Sequence, residues 1–404
     1  MQSFGVPQGM RDILIDESSR RTILQQKLLN YIQSCGFSRI ETPLFEYYEL
    51  FSGGISTVDD ESIIKTIDRD GRVAVLRPDM TIPAARVVAT KLKEQQKPLK
   101  LFYMGNVYRA DRKDPEARRE FCQVGAEIYG CSGKWLDLEI IGMAKGSFRE
   151  AGISNYKIDI GHVGITKGIF EEITLPEEKK EYIINLVSRK NLVELEMEVS
   201  ALPIESRYKE IICKLPRFFG KPEDVFRNIN EIITNETVEK SVGYLRDVYE
   251  KCTDMGLSSN LIVDAGMTGN MKYYTGLIFK AYAQGIGNAV ISGGRYDNLL
   301  EIPGTNSTAA GFAIYVDSML EAAEENIMQQ ENKLLVIFGD TRFNEALDYS
   351  ERLRRDGAIV NLINTDDILD LEQYCRQYGY GKVKIFAERD DKNVEDSYSE
   401  RQSG

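Results

Sequence analysis

Between Pro98 and Ile128 the chain reads PLKLFYMGNVYRADRKDPEARREFCQVGAEI, two alternating runs joined by a charged stretch. Alternation over residues 98–109 and 120–128 predicts the two strands of a long-looped antiparallel hairpin. Because neighbouring side chains of a strand point to opposite faces, Phe121, Gln123, Gly125 and Glu127 share one face, and Cys122, Val124, Ala126 and Ile128 share the other. The second set is a core. A half-buried solvent face would also alternate, but an aromatic, a glycine, an amide and a carboxylate seldom share one, so the first set reads as a ligand-facing surface. Arg109 ends the first strand, and its planar, five-donor guanidinium suits a carboxylate or a phosphate bidentately. The plainer role for it is a strand-end salt bridge to Asp111 or Glu120. Further along, Tyr273 and Tyr274 stand side by side in a strand-like run, YYTGLIFKAYA, where tyrosines are usually core residues.

Other chemistries are excluded by composition. Cys35, Cys122, Cys131, Cys213, Cys252 and Cys375 are scattered singly with no CxxC, which suggests buried or neutral thiols and neither a zinc cage nor a disulfide framework. The single histidine, His162, closes a strand-like run (KIDIGHVGI) and reads as structural; it leaves no histidine-rich metal site. The net charge of −12 and a pI near 5.0 disfavour a chain whose main task is gripping nucleic acid, since that affinity comes largely from lysine and arginine at phosphates. No run approaches twenty apolar residues and the N-terminus lacks a signal-peptide pattern, so a cytoplasmic protein without membrane contact is expected.

The elements that must position these residues follow from periodicity. Ile23, Leu24, Leu28, Ile32 and Cys35 carry helical spacing over residues 19–35, closed by Gly36, and a strand, SRIETPLFE, is broken at Pro43. Residues from about 165 to 258 are mostly helical and charged, an insertion in the core. Strands return at NLIVDAG, YYTGLIFKAYA and NAVISGG, followed by a helix from about Ala310 to Glu325. The core is expected to span residues 1–325, with a linker at 326–332. Residues 333–388 alternate strand and helix as a small parallel α/β domain, and 389–404 form a polar tail. From Lys333 to Gly404 there are 11 lysines and arginines against 15 acids, a net of −4 and a poor surface for RNA.

Seven segments, in order, resemble the histidyl-tRNA synthetase branch of the class II aminoacyl-tRNA synthetases. They are VPQGMRD (Val6 to Asp12), the helix and strand ending at Pro43 (motif 1), LRPDMT (Leu76 to Thr81), the hairpin (motif 2), MKYYTGLIF, GGRYDNLL and GFAIYVDSML. The resemblance implies an α+β fold: a class II synthetase-like antiparallel sheet core flanked by helices, with a small C-terminal α/β domain resembling a degenerate anticodon-binding domain. It also implies a histidine pocket. Gln123 and Glu127 correspond to residues that hold the amino group, where an amide beside a carboxylate suits an ammonium. Asp79 and Thr81 match the acid and hydroxyl of the RPE-x-T-like segment, Arg109 the cation facing carboxylate or α-phosphate, and Tyr273 and Tyr274 the tyrosines flanking the imidazole.

The catalytic parts depart from the family. Ser318 stands where motif 3 has an arginine over the adenine, Tyr315 replaces a small glycine, and Gly269 (in GNMKYY) stands where an RGLDYY-like sequence supplies a second arginine; Lys272 is not at that position. Losing one pre-organised charge-stabilising group commonly costs several kcal/mol of activation energy, so losing both leaves little adenylation. A histidine-binding core without those cations is similar to the regulatory-subunit family of short-form ATP phosphoribosyltransferase, a class II synthetase paralogue of the first step of histidine biosynthesis, and LRPDMT in place of LRPEGT favours that branch. The resemblance implies a non-catalytic chain that needs no cofactor, activates a separate catalytic subunit and carries histidine feedback to it. It further implies a self-dimer through motif 1 near Pro43 and a hetero-octamer with the partner, and tRNA is not expected to bind. The competing readings are an active histidyl-tRNA synthetase, a tRNA-independent class II ligase, and an interaction module whose pocket has fallen out of use.

Overall fold

The computed structural model describes residues 5–52, 60–110, 118–131, 133–269, 273–297, 299, 308–323 and 333–386. The chain divides into two compact units, Met1–Ile327 and Met328–Gly404. The first unit opens with α1 (Ile15–Ser34), β1 (Ser38–Arg39), β2 (Phe45–Tyr47), β3 (Lys65–Ile67), β4 (Val73–Leu76) and α2 (Thr81–Thr90). The hairpin follows as β5 (Leu99–Tyr108) and β6 (Glu120–Tyr129), then α3 (Lys134–Glu150) and β7 (Tyr156–His162). The helical region comprises α4 (Val163–Glu171), α5 (Glu177–Ser188), α6 (Leu192–Ser200), α7 (Ser206–Lys214), the short β8 (Phe219–Gly220), α8 (Pro222–Asn228) and α9 (Glu236–Asp254). Then come β9 (Leu261–Asp264), β10 (Leu277–Ala283), β11 (Ile291–Arg295), β12 (Ala309–Tyr315) and α10 (Val316–Ala322).

Nine strands form one sheet in the order β1-β5-β6-β12-β11-β10-β7-β9-β8, and β2, β4 and β3 form a small separate sheet. The large sheet is mixed rather than purely antiparallel, because β1 runs parallel to β5 and β7 runs parallel to β9. One face is the core. Cys122, Val124, Ala126 and Ile128 of β6 pack there with Leu24, Leu28 and Ile32 of α1 and with Ile140, Ile141 and Phe148 of α3. The period-2 pattern of β6 thus fixes which side chains face away from that core.

Two boundaries differ from the sequence reading. The expected helix from Ala310 begins only at Val316; the preceding AAGFAIY is β12, inserted between β6 and β11. A run of small and branched apolar residues buried on both faces has no alternation to distinguish strand from helix. Tyr273 and Tyr274 precede β10 rather than lying in it, since the strand starts at Leu277. The linker and the polar tail lie outside the described residues.

The second unit has β13 (Lys333–Phe338), α11 (Phe343–Arg355), β14 (Ile359–Asn364), α12 (Leu371–Tyr378) and β15 (Lys382–Phe386). Its sheet is parallel in the order β14-β13-β15, the arrangement that strand-helix repetition produces.

Within the first unit, one buried ion pair joins sheet, α3 and the helical region. Arg295, at the end of β11, donates to Asp137 of α3 at 3.1 Å and to the Gly133 carbonyl at 2.7 Å, while Tyr244 of α9 donates to the same carboxylate. Asp137 is fully buried. Arg295→Ala leaves that carboxylate without its cation, and a loss of about 3–5 kcal/mol is expected. Urea denaturation followed by circular dichroism measures it, and a double variant Arg295→Met/Asp137→Leu should recover part of the loss.

Candidate functional site

On the face of the sheet opposite the core, register decides which side chains meet. Tyr103 of β5 lies opposite Gly125 of β6, and Glu127 lies between Leu101 and Gly311 of β12. Both glycines are required by space. A methyl at Gly125 would stand 2.5 Å from the Tyr103 ring, and one at Gly311 would overlap the Glu127 carboxylate. With nothing larger beneath them, the ring and the carboxylate lie down on the sheet.

Glu127 is 1% exposed and its two oxygens accept from two tyrosines, Tyr103 at 2.6 Å and Tyr296. The Thr81 hydroxyl lies 3.2 Å from that of Tyr103, so the first residue of α2 joins the same network. Burial pushes the Glu127 carboxyl up to about 7; the tyrosine hydrogen bonds oppose the shift and the neighbouring Asp79 adds to it. Asp79 is also buried. One of its oxygens accepts from the Ile82 N–H at 3.0 Å, capping α2, and the other has no hydrogen-bond partner among the described residues. Burial raises the Asp79 carboxyl as well, against the pull of the Ile82 N–H and of Arg109.

Arg109 donates through Nε to the Pro78 carbonyl at 2.7 Å, and its guanidinium stands 5.2 Å from the Phe121 ring. Among the described residues no carboxylate forms a salt bridge with it, and Asp111 lies outside them; Glu120 instead accepts from Asn106 and Tyr108. Gln123 is 3% exposed, with its amide on the Glu127 face. Tyr273 is buried, edge-on to Tyr274 at 4.7 Å and stacked on Tyr296 at 5.2 Å. All seven residues singled out from the sequence therefore border one region. Tyr103 and Tyr296 were missed as ligands of Glu127, although Tyr103 lies in the alternation of β5 and Tyr296 in GGRYD. His162 caps α4, its Nδ1 accepting from Gly164 N at 3.1 Å, and burial beside Arg295 lowers it to about 4. Among the described residues, no group of three or more His, Cys, Asp or Glu is placed to hold a metal.

Two departures have a geometric form. Gly269 has φ +55°, and a methyl there would stand 2.7 Å from the Tyr274 ring, so a side chain at this position meets both an unfavourable backbone and a filled space. Tyr315 lies beside Gln123 in the sheet, with its ring 5.9 Å from that of Phe121. Ser318 is half-buried on α10, where the adjacent Asp317 accepts from Cys122 N at 2.9 Å and pairs with Arg21 at 3.2 Å. Lys272 lies outside the described residues.

A family model described as histidyl-tRNA synthetase matches residues 9–319. The chain therefore has the class II histidyl-tRNA synthetase-like fold that the sheet and hairpin define. It is 32% identical to an ATP phosphoribosyltransferase regulatory subunit of Clostridium botulinum, covering 98% of this chain and 95% of that one. A protein of the same name from Acetivibrio thermocellus is 34% identical over 96% of this chain and 93% of its own. The crystal structure of an ATP phosphoribosyltransferase regulatory subunit/histidyl-tRNA synthetase from Bacillus halodurans superposes with a TM-score of 0.84 at 29% identity, covering 95% and 98% of the two chains. The chain belongs to the ATP phosphoribosyltransferase regulatory subunit family.

The elevated Glu127 carboxyl has a signed consequence. Unfolded, the group ionises near 4.5, whereas in the folded chain it holds its proton to about 7, so it takes stability away as pH rises through that interval. Glu127→Gln has no such term. Between pH 5 and pH 8, to which the Glu127 window of about 4.5 to 7 leads, its stability should rise relative to the parent in urea denaturation. A pH-independent difference would show that Glu127 is not held protonated.

Proposed function

We propose that this chain is the regulatory subunit of an ATP phosphoribosyltransferase, that it acts in the first step of histidine biosynthesis without catalysing it, and that its pocket senses histidine. The observation that carries the reading is the buried cluster of Asp79, Gln123 and Glu127 beside Arg109, in a chain with no arginine at Gly269 or Ser318. Asp79, with one buried oxygen unengaged, and the Gln123 amide face the ammonium. Glu127, which already accepts from two tyrosines, stands with Tyr273 and Tyr274 around the ring, and Thr81 fixes Tyr103. Arg109, already oriented by Pro78 and Phe121, takes the carboxylate with its two remaining nitrogens. The two acids differ in what each already holds: Glu127 accepts on both oxygens, and one Asp79 oxygen has no partner among the described residues.

Gly269 and Ser318 leave no arginine at either position where the synthetase resemblance places a transition-state cation, which supports a chain that binds without adenylating. Histidine regulates a partner only if it prefers one arrangement of the complex, and a coupling of about 1–3 kcal/mol is ordinary. The catalytic subunit is the partner that the relatives' name implies. Self-association through the motif 1 region is supported by Leu44, Phe45 and Tyr47, which are exposed on and beside an edge strand of the small sheet. Assembly with the catalytic subunit into a hetero-octamer would build on that dimer. Residues 333–404 carry 11 lysines and arginines against 15 acids, which disfavours tRNA as a partner.

Calorimetric titration with histidine beside an ATP-dependent pyrophosphate exchange assay tests the reading: binding without exchange is expected, and robust exchange would restore the synthetase. Arg109→Ala should weaken histidine about tenfold or more, as loss of a charge-assisted bidentate contact does. In light scattering Phe45→Glu should shift a dimer toward monomer, and an unchanged mass would place the dimer contact elsewhere.

A further inference from the structure

Beside Arg109 the pocket is bounded by aromatic rings, each held by its neighbours. Tyr315 is the last residue of β12 and pairs in register with Gln123, which puts its side chain on the ligand face. Its ring leans on Phe121 at a tilt of 45°, and its hydroxyl lies 3.3 Å from the Ser292 hydroxyl on β11. The ring is thus fastened at its edge and at its tip, across two strands. Arg109, the cation for a ligand carboxylate, rests on the other partner of that contact, 5.2 Å from the Phe121 ring. Tyr274 fills the adjoining side over Gly269 and Ile278.

A carboxylate that reaches the guanidinium therefore ends against aromatic surface. We propose that Tyr315 and Phe121 form a wall that limits this site to ligands with a free, unsubstituted α-carboxylate, so that it rejects by size any ester, amide or mixed anhydride of the same amino acid. The inference rests on the amino-acid reading above. It adds a basis for selectivity: the same pocket distinguishes free histidine from histidine already activated or conjugated at its carboxyl end, and a signal of free amino-acid level requires that distinction. A ring pinned on two sides resists displacement as a packed core does, and forcing a substituent past it should weaken binding about tenfold or more.

Histidine esters separate size from charge, because the methyl and benzyl esters both lack the carboxylate charge while the benzyl ester is bulkier, and its apolar ring would otherwise favour contact with an aromatic wall. Titration of the full-length chain with L-histidine and the two esters should show the benzyl ester binding at least about tenfold more weakly than the methyl ester. In Tyr315→Ala that ratio should collapse toward unity, whereas Tyr315→Phe, which keeps the ring, should retain it. Phe121→Ala reads the same wall from its other side, so the ratio remains measurable should Tyr315→Ala fail to fold. Equal binding of both esters by the parent, or a ratio that neither alanine variant relaxes, overturns the wall while histidine binding stands. A parent that binds no histidine overturns the amino-acid reading and the wall with it.

Discussion

The site depends on one placement: a carboxylate lying flat in the interior of a sheet, with nothing but glycine beneath it. Glu127 can be buried there only because Gly311 leaves its space open and because Tyr103 and Tyr296 each give one of its oxygens a hydrogen bond. Removing a carboxylate from water is costly even so, and two phenol donors recover only part of the hydration, which is why its proton is held to about 7. A bound ligand that supplies a further donor or a positive charge relieves that cost.

The same economy of parts ties the pocket to its surroundings. Asp79 caps α2 with one oxygen, and its other oxygen has no hydrogen-bond partner among the described residues. Along that helix, Arg86 pairs with the buried Glu46 of β2 at 2.6 Å, and at its root Arg77 donates to the Thr42 carbonyl at 2.8 Å and to the Asn106 carbonyl at 2.9 Å. Movement of Asp79 toward an ammonium would therefore act on a rigid element attached to the small sheet. Packed elements with discrete contacts carry such displacements better than a deformable loop does.

Much of this was legible in the sequence, and the reasons are physical. The hairpin was readable because alternation with one apolar face admits a single register, and Gln123, Gly125 and Glu127 had to share the other face. The parallel α/β unit was readable because strand and helix alternate at short intervals. β12 was not, since AAGFAIY is buried on both sides and carries no period of its own. Nor could the sequence show that Glu127 is held by two tyrosines. That contact depends on Tyr103 and Tyr296, more than 190 residues apart in chain and brought together only by the strand order β5-β6-β12-β11. Gly269 reads in sequence as a missing arginine; in three dimensions it is a backbone at positive φ under a ring, where the missing residue no longer has a place.

Recognition of an amino acid and its activation make different demands on one sheet. Recognition needs buried acceptors, a cation and aromatic walls, all of which work in the ground state. Activation needs cations placed where charge develops, together with room for a nucleotide. Glu127 and Asp79 are held by the sheet and by the start of α2, whereas Gly269, after β9, and Ser318, on α10, stand where the resemblance places the two cations. The two sets rest on different parts of the chain, so a change in one need not disturb the other.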